Sequence, residues 1–158
     1  MKRKMKTYAV SVAIALSIGL ISALLTRQNM NIYSEITTPP LSPPSILFPI
    51  VWTVLYLLMG ISAAMIFTNK TASVQLKNQA LSTYATSLVF NFLWSIIFFN
   101  MRAFALAFVW ILILLALIII TIRKYRKIDS VAAYLQIPYA LWVAFATYLN
   151  AGIWMLNK

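Results

Sequence analysis

Five apolar stretches, each long enough to cross a bilayer as a helix, account for most of this chain and constrain its fold more than any other feature. The hydrocarbon core of a membrane takes about 20 residues of α-helix. Spans of that kind run near Tyr8–Thr26, Ser45–Phe67, Leu81–Phe99, Ala103–Ile122 and Val131–Leu156. The backbone polar groups of such a span have no water to bond with, and a helix pairs them internally. The predicted fold is therefore all-α and integral to the membrane, a single five-helix transmembrane bundle over residues 1–158. Charged residues make up only 9% of the chain, against about a quarter in a soluble domain, too few to cover a water-facing surface.

The loops predict an orientation. Lys2, Arg3, Lys4, Lys6, Lys70, Lys77, Arg123, Lys124, Arg126 and Lys127 share one side, and Arg27, Arg102 and Lys158 the other. Basic loops stay inside, so the amino terminus is expected in the cytoplasm and the carboxyl terminus outside, in the cell membrane. The basic residues flank apolar spans, so the net charge of +11 reads as topology and not as nucleic-acid binding. The first span follows a basic segment, as in a cleavable signal, but it is long and ends without a small-residue cleavage site. It also carries Ser11, Ala15, Gly19 and Ala23 at four-residue spacing, a stripe that lets another helix approach closely. A retained first helix is the expectation.

Several chemistries are excluded by residue type. Cysteine and histidine are absent, which removes disulfides, thiolate chemistry and the commonest metal ligand and general base. The only acidic residues, Glu35 and Asp129, fall in loops on opposite sides of the expected membrane, so no carboxylate pair is available for catalysis or for a metal. No metal site is expected.

The one long connection, Arg27–Pro44, holds Tyr33 and four prolines between Pro39 and Pro44. Proline fixes φ and forbids helix there, so this segment is either a stiff lid over the mouth of the bundle or a rigid linker. Pro49 sits early in the second span, where a missing N–H costs little. Asp129 and Ser130 offer caps for the fifth helix, and Pro138 is expected to kink it.

Polar groups within a span face the bundle rather than lipid. Leu106–Ile120 is nearly without them and reads as scaffold. The second span places Phe48, Trp52, Tyr56 and Gly60 on one helical face. The third places Tyr84, Ser87, Asn91, Ser95 and Phe98 on a stripe, with Trp94 beside it. The fifth places Trp142, Phe145 or Ala146, and Leu149 together, with Tyr139, Asn150 and Asn157 on a neighbouring face. Two readings follow. One is an aromatic pocket between the second, third and fifth helices for a flat, largely apolar molecule. The other is ordinary interhelical packing, with Asn91 and Asn150 as the hydrogen-bonding glue.

Three segments in order resemble one family. Phe48-Pro49-Ile50-Val51-Trp52-Thr53-Val54-Leu55-Tyr56-Leu57-Leu58-Met59-Gly60 is similar to the signature of the TspO/MBR family, the tryptophan-rich sensory proteins and translocator proteins, the latter also called peripheral-type benzodiazepine receptors. Asn91-Phe92-Leu93-Trp94-Ser95-Ile96-Ile97-Phe98-Phe99, followed by Arg102, resembles its third-helix motif. Pro138-Tyr139-Ala140-Leu141-Trp142, with Phe145, Leu149-Asn150 and Trp154, resembles its fifth. The resemblance spans essentially the whole chain and is to a bacterial member. It implies a five-helix fold, a homodimer, and a pocket under the first loop that takes porphyrins, haem and synthetic aromatic ligands. The ligand-binding positions it implies are Tyr33, Trp52, Asn91, Trp94, Ser95, Trp142, Ala146 and Leu149, and the inward faces of the second and third spans add Tyr56 and Phe98 to the candidate set. Leu41 and Ile46 stand where members often have tryptophan, and the proposed cholesterol motif of animal members is missing from Asn150–Met155.

The expected function is thus a membrane receptor for protoporphyrin IX, haem and other flat aromatic molecules, with a role in tetrapyrrole sensing or stress regulation. The partners are porphyrin-type small molecules, the lipid bilayer and a second copy of the chain. No cofactor is required, and porphyrin or haem enters as ligand. The alternatives are a facilitator of porphyrin transport and a light-dependent porphyrin-degrading enzyme. With no acid–base pair or nucleophile in view, the enzymatic route runs through Trp52, Trp94 or Trp142.

Overall fold

The computed structural model describes residues 1–158 and contains five long helices: α1 (Lys2–Thr26), α2 (Leu47–Thr68), α3 (Val74–Ser95), α4 (Phe104–Arg126) and α5 (Ser130–Leu156). All five are long and apolar enough to cross a membrane. The expected five-helix fold class is the one observed, and the chain is a multi-pass membrane protein. Around the bundle, α1 packs on α2, α2 on α5, α5 on α4 and α4 on α3, which returns to α1 and α2. Met59, Ile66, Ile111, Leu114, Ile118, Val143 and Ile153 fill the centre, while Leu20, Leu24, Ile50, Val54, Val109, Leu112 and Leu141 point outward. Apolar side chains on the outside are what a lipid solvent selects.

The helices outrun the apolar spans where polar side chains cap them. The third begins at Val74 rather than near Leu81, because the Ser73 hydroxyl accepts from the Leu76 amide at 3.2 Å. Lys77 Nζ reaches back to the carbonyls of Phe67 and Asn69 at 3.3 and 2.9 Å and closes the end of α2. The fourth extends to Arg126, and Arg123, Lys124 and Arg126 in its last turn suit the negative end of the helix dipole. Asp129 caps α5 by accepting from Val131 and Ala132. The α5 helix continues through Pro138 to Leu156.

The small-residue stripe of α1 is used within the bundle. Ser11 Oγ donates to the Gly60 carbonyl at 2.7 Å, Ala15 is fully buried, and Gly19 lies under the Tyr56 ring. On the facing side, a Cβ on Gly60 would stand 2.6 Å from the Val12 Cα. Two glycines therefore set the α1–α2 spacing. The Ser62 hydroxyl donates to the Ala132 carbonyl at 2.7 Å and accepts from Gln136 Nε2 at 3.3 Å, which joins α2 to α5 deep in the bundle.

Candidate ligand chamber

At its carboxyl end α3 changes its winding. The Met101 amide bonds to the Ile96 carbonyl at 3.0 Å, a five-residue step, and Ile96–Asn100 forms one widened turn. Such turns recur at functional sites. Here it turns Phe98 and Phe99 toward the space between the helices, where Phe98 meets Trp94 face to face at 5.0 Å and Phe99 edge-on at 5.0 Å.

That space is a chamber of about 410 Å³, within the range typical of small-molecule sites. All ten residues singled out from the sequence line it: Tyr33, Trp52, Tyr56, Asn91, Trp94, Ser95, Phe98, Trp142, Ala146 and Leu149. Trp52 and Tyr56 form one aromatic wall at 5.7 Å, backed by Tyr139 at 6.3 Å from Trp52. Trp142 stands edge-on to Phe48 at 5.8 Å.

The two amides that line the chamber beside its indoles, Asn91 and Asn150, are both committed. Asn91 Nδ2 donates to Tyr56 Oη at 3.1 Å. The Trp94 indole donates to Asn150 Oδ1 at 3.0 Å, and Asn150 Nδ2 donates to the Phe104 carbonyl at 2.9 Å. Asn91 and Asn150 are thus the interhelical glue that the sequence suggested, while both also face the chamber.

The proline-rich loop forms the roof. A single helical turn, Ile32–Glu35, buries Ile32 and presents Tyr33, which stacks on Phe48 at 5.3 Å and meets Phe99 at 6.1 Å. The turn is tied by Glu35 to Arg102 at 2.7 Å. Asn157 pairs with both backbone groups of Thr37 at 2.9 and 2.8 Å. The Tyr148 hydroxyl donates to the Pro40 carbonyl at 2.7 Å, and Pro39 lies on Gly152, where a Cβ would come within 2.6 Å of it.

Sequence reasoning missed the contribution of α1. Gly19, Ser22, Ala23 and Thr26 form a fourth wall, so the chamber lies among α1, α2, α3 and α5 rather than among three helices. The signal was present, since Gly19 and Ala23 belong to the small-residue stripe and Ser22 and Thr26 adjoin it at helical spacing. No residue of α4 lines the chamber. Trp110 there is spent on α3, stacking on Phe90 at 4.5 Å and donating to its carbonyl at 3.0 Å. No cluster of three or more His, Cys, Asp or Glu side chains forms anywhere.

The profile of the TspO/MBR family matches residues 10–155. Over 158 residues, 99% of each chain, the sequence is 30% identical to the tryptophan-rich protein TspO of Chlorobaculum tepidum. It is 34% identical to the tryptophan-rich sensory protein of Cereibacter sphaeroides, covering 79% of this chain and 76% of that one. It is 31% identical to the translocator protein of Ovis aries, covering 80% and 75%.

Proposed function

The chain belongs to the TspO/MBR family, and from that premise we propose that it is a membrane receptor for porphyrins, such as protoporphyrin IX and haem, and other flat aromatic molecules. The observation that carries this reading is the chamber itself: about 410 Å³, walled by Trp52, Tyr56, Trp94, Phe98 and Trp142 and roofed by Tyr33. Burial of the ligand's faces against these rings supplies most of the affinity, at about 25 cal/mol per Å² before the cost of association. Ser95 and the amide of Asn91 orient the polar edge. The bound porphyrin is a ligand and not a required cofactor. The working form is a homodimer in the cell membrane, with the amino terminus cytoplasmic in keeping with the basic loops.

The experiment is a protoporphyrin IX titration of purified protein in detergent, read by tryptophan fluorescence, with Trp142→Phe and Asn91→Ala beside the parent. Saturable quenching that both substitutions weaken supports the reading. Quenching that is linear in ligand, or equal in all three proteins, overturns it, because a porphyrin dissolving in the micelle behaves that way.

A further inference from the structure

A second cavity, about 580 Å³, opens at the other end of the bundle between α1, α2 and α3. The two cavities are separated by the close α1–α2 contact around Ala15, Gly19 and Gly60. One face of α1 forms its long wall: Arg3, Lys6, Thr7, Val10, Ser11 and Ile14, the spacing of a single helical stripe. Ala63 and Ala64 of α2 make a shallow floor, and Leu81 and Tyr84 of α3 close the far side. The apolar end holds Val10 and Ile14, both about half exposed, so the groove opens sideways where lipid would be. Its other end holds two cations.

Those cations have no acidic partner in the protein. The chain has two carboxylates. Glu35 is paired with Arg102, and Asp129 caps α5. Arg3 to Ile14 spans about 16 Å along a helix, about half of a ~30 Å hydrocarbon core, the depth of one leaflet.

We infer that this groove is a binding site for an anionic phospholipid of the leaflet on the amino-terminal side, with an acyl chain along Val10, Ile14, Ala63 and Phe67 and the phosphate between Arg3 and Lys6. Charge and length together select this occupant. A free anion leaves the apolar length unfilled, and a zwitterionic lipid brings its own ammonium beside the two cations and offers them no net counter-charge. The site is independent of the porphyrin chamber and shares no residue with it.

The test is native mass spectrometry of the full chain released from nanodiscs containing equal phosphatidylglycerol and phosphatidylcholine. The parent is expected to retain one phosphatidylglycerol in preference. Arg3→Gln with Lys6→Gln is expected to lower that retention roughly 30-fold, about fivefold for each basic residue at an anionic surface. Val10→Trp, a change at an exposed position that fills the groove, is expected to lower it as well. Lys2→Gln with Lys4→Gln removes the same charge away from the groove and is expected to lower retention far less. Three results overturn the inference: equal retention of the two lipids, an equal loss in the Lys2/Lys4 variant, or displacement of the lipid by inorganic phosphate at a tenfold excess.

Discussion

The indole of Trp94 in α3 donates to Asn150 in α5 at 3.0 Å, and the same Asn150 amide donates to the Phe104 carbonyl at the start of α4. One side chain thus ties three helices together and fixes the edge of Trp94, whose face stacks on Phe98 in the chamber wall.

Asn150→Ala leaves the Trp94 N–H and the Phe104 carbonyl without that partner. The expected loss of stability is about 1–3 kcal/mol, read as a lower midpoint of thermal unfolding in detergent. Combined with Trp94→Phe the loss is expected to be less than the sum of the two, since both remove one bond. Full additivity would show that the bond is not made.

The two glycines of the α1–α2 contact separate by what faces them. A Cβ at position 60 meets Val12 backbone at 2.6 Å, whereas one at position 19 meets the Tyr56 ring. A ring can tilt and a helix backbone cannot. Gly60→Ala is therefore expected to destabilise by about 1–3 kcal/mol, more than Gly19→Ala, despite the better helix propensity of alanine at both sites. Gly19→Ala acts instead on ligand binding, because Tyr56 shifts into the chamber. Denaturation midpoints and porphyrin titrations of the two variants give the comparison, and the reverse order would contradict it.

Glu35 and Arg102 form the only ion pair, with both side chains about half exposed. Such a pair contributes at most about 1 kcal/mol. Glu35→Gln is expected to leave the unfolding midpoint nearly unchanged while speeding porphyrin dissociation severalfold, because the pair fastens the turn that carries Tyr33 over the chamber. Stopped-flow dissociation measures this, and raised salt is expected to mimic it in the parent. An unchanged rate would mean that the roof does not open at this turn.

Haem iron usually takes a His, Cys, Met or Tyr ligand. The chain has no His or Cys, and the chamber is walled mainly by aromatic rings. Metal-free protoporphyrin is expected to bind within a few-fold of haem. A large haem preference that disappears on changing Met30 or one tyrosine of the chamber would show iron ligation instead.

The fold was legible because lipid imposes a coarse rule. A span must be apolar, helical and about 20 residues long, and each of these is local. The aromatic and amide positions of α2, α3 and α5 were legible for a related reason: inside a membrane, polarity marks the faces that turn away from lipid. The start of α3 at Val74 was not, because Ser73 and Lys77 stabilise helix in a segment that hydropathy reads as loop.

Sequence alone thus determined the number of helices, the inward faces of α2, α3 and α5 and, with the family resemblance, ten positions that come to share one chamber. Only the tertiary structure decided which helices are neighbours, that α1 is a wall of the chamber and spends small residues on α2, and that the first loop covers the chamber with Tyr33 while Glu35, Thr37 and Pro40 fasten it to the bundle. The physical reason is that periodicity fixes which side of a helix turns inward. Which partner it meets depends on contacts between residues as far apart as Thr37 and Asn157, and no local pattern encodes them.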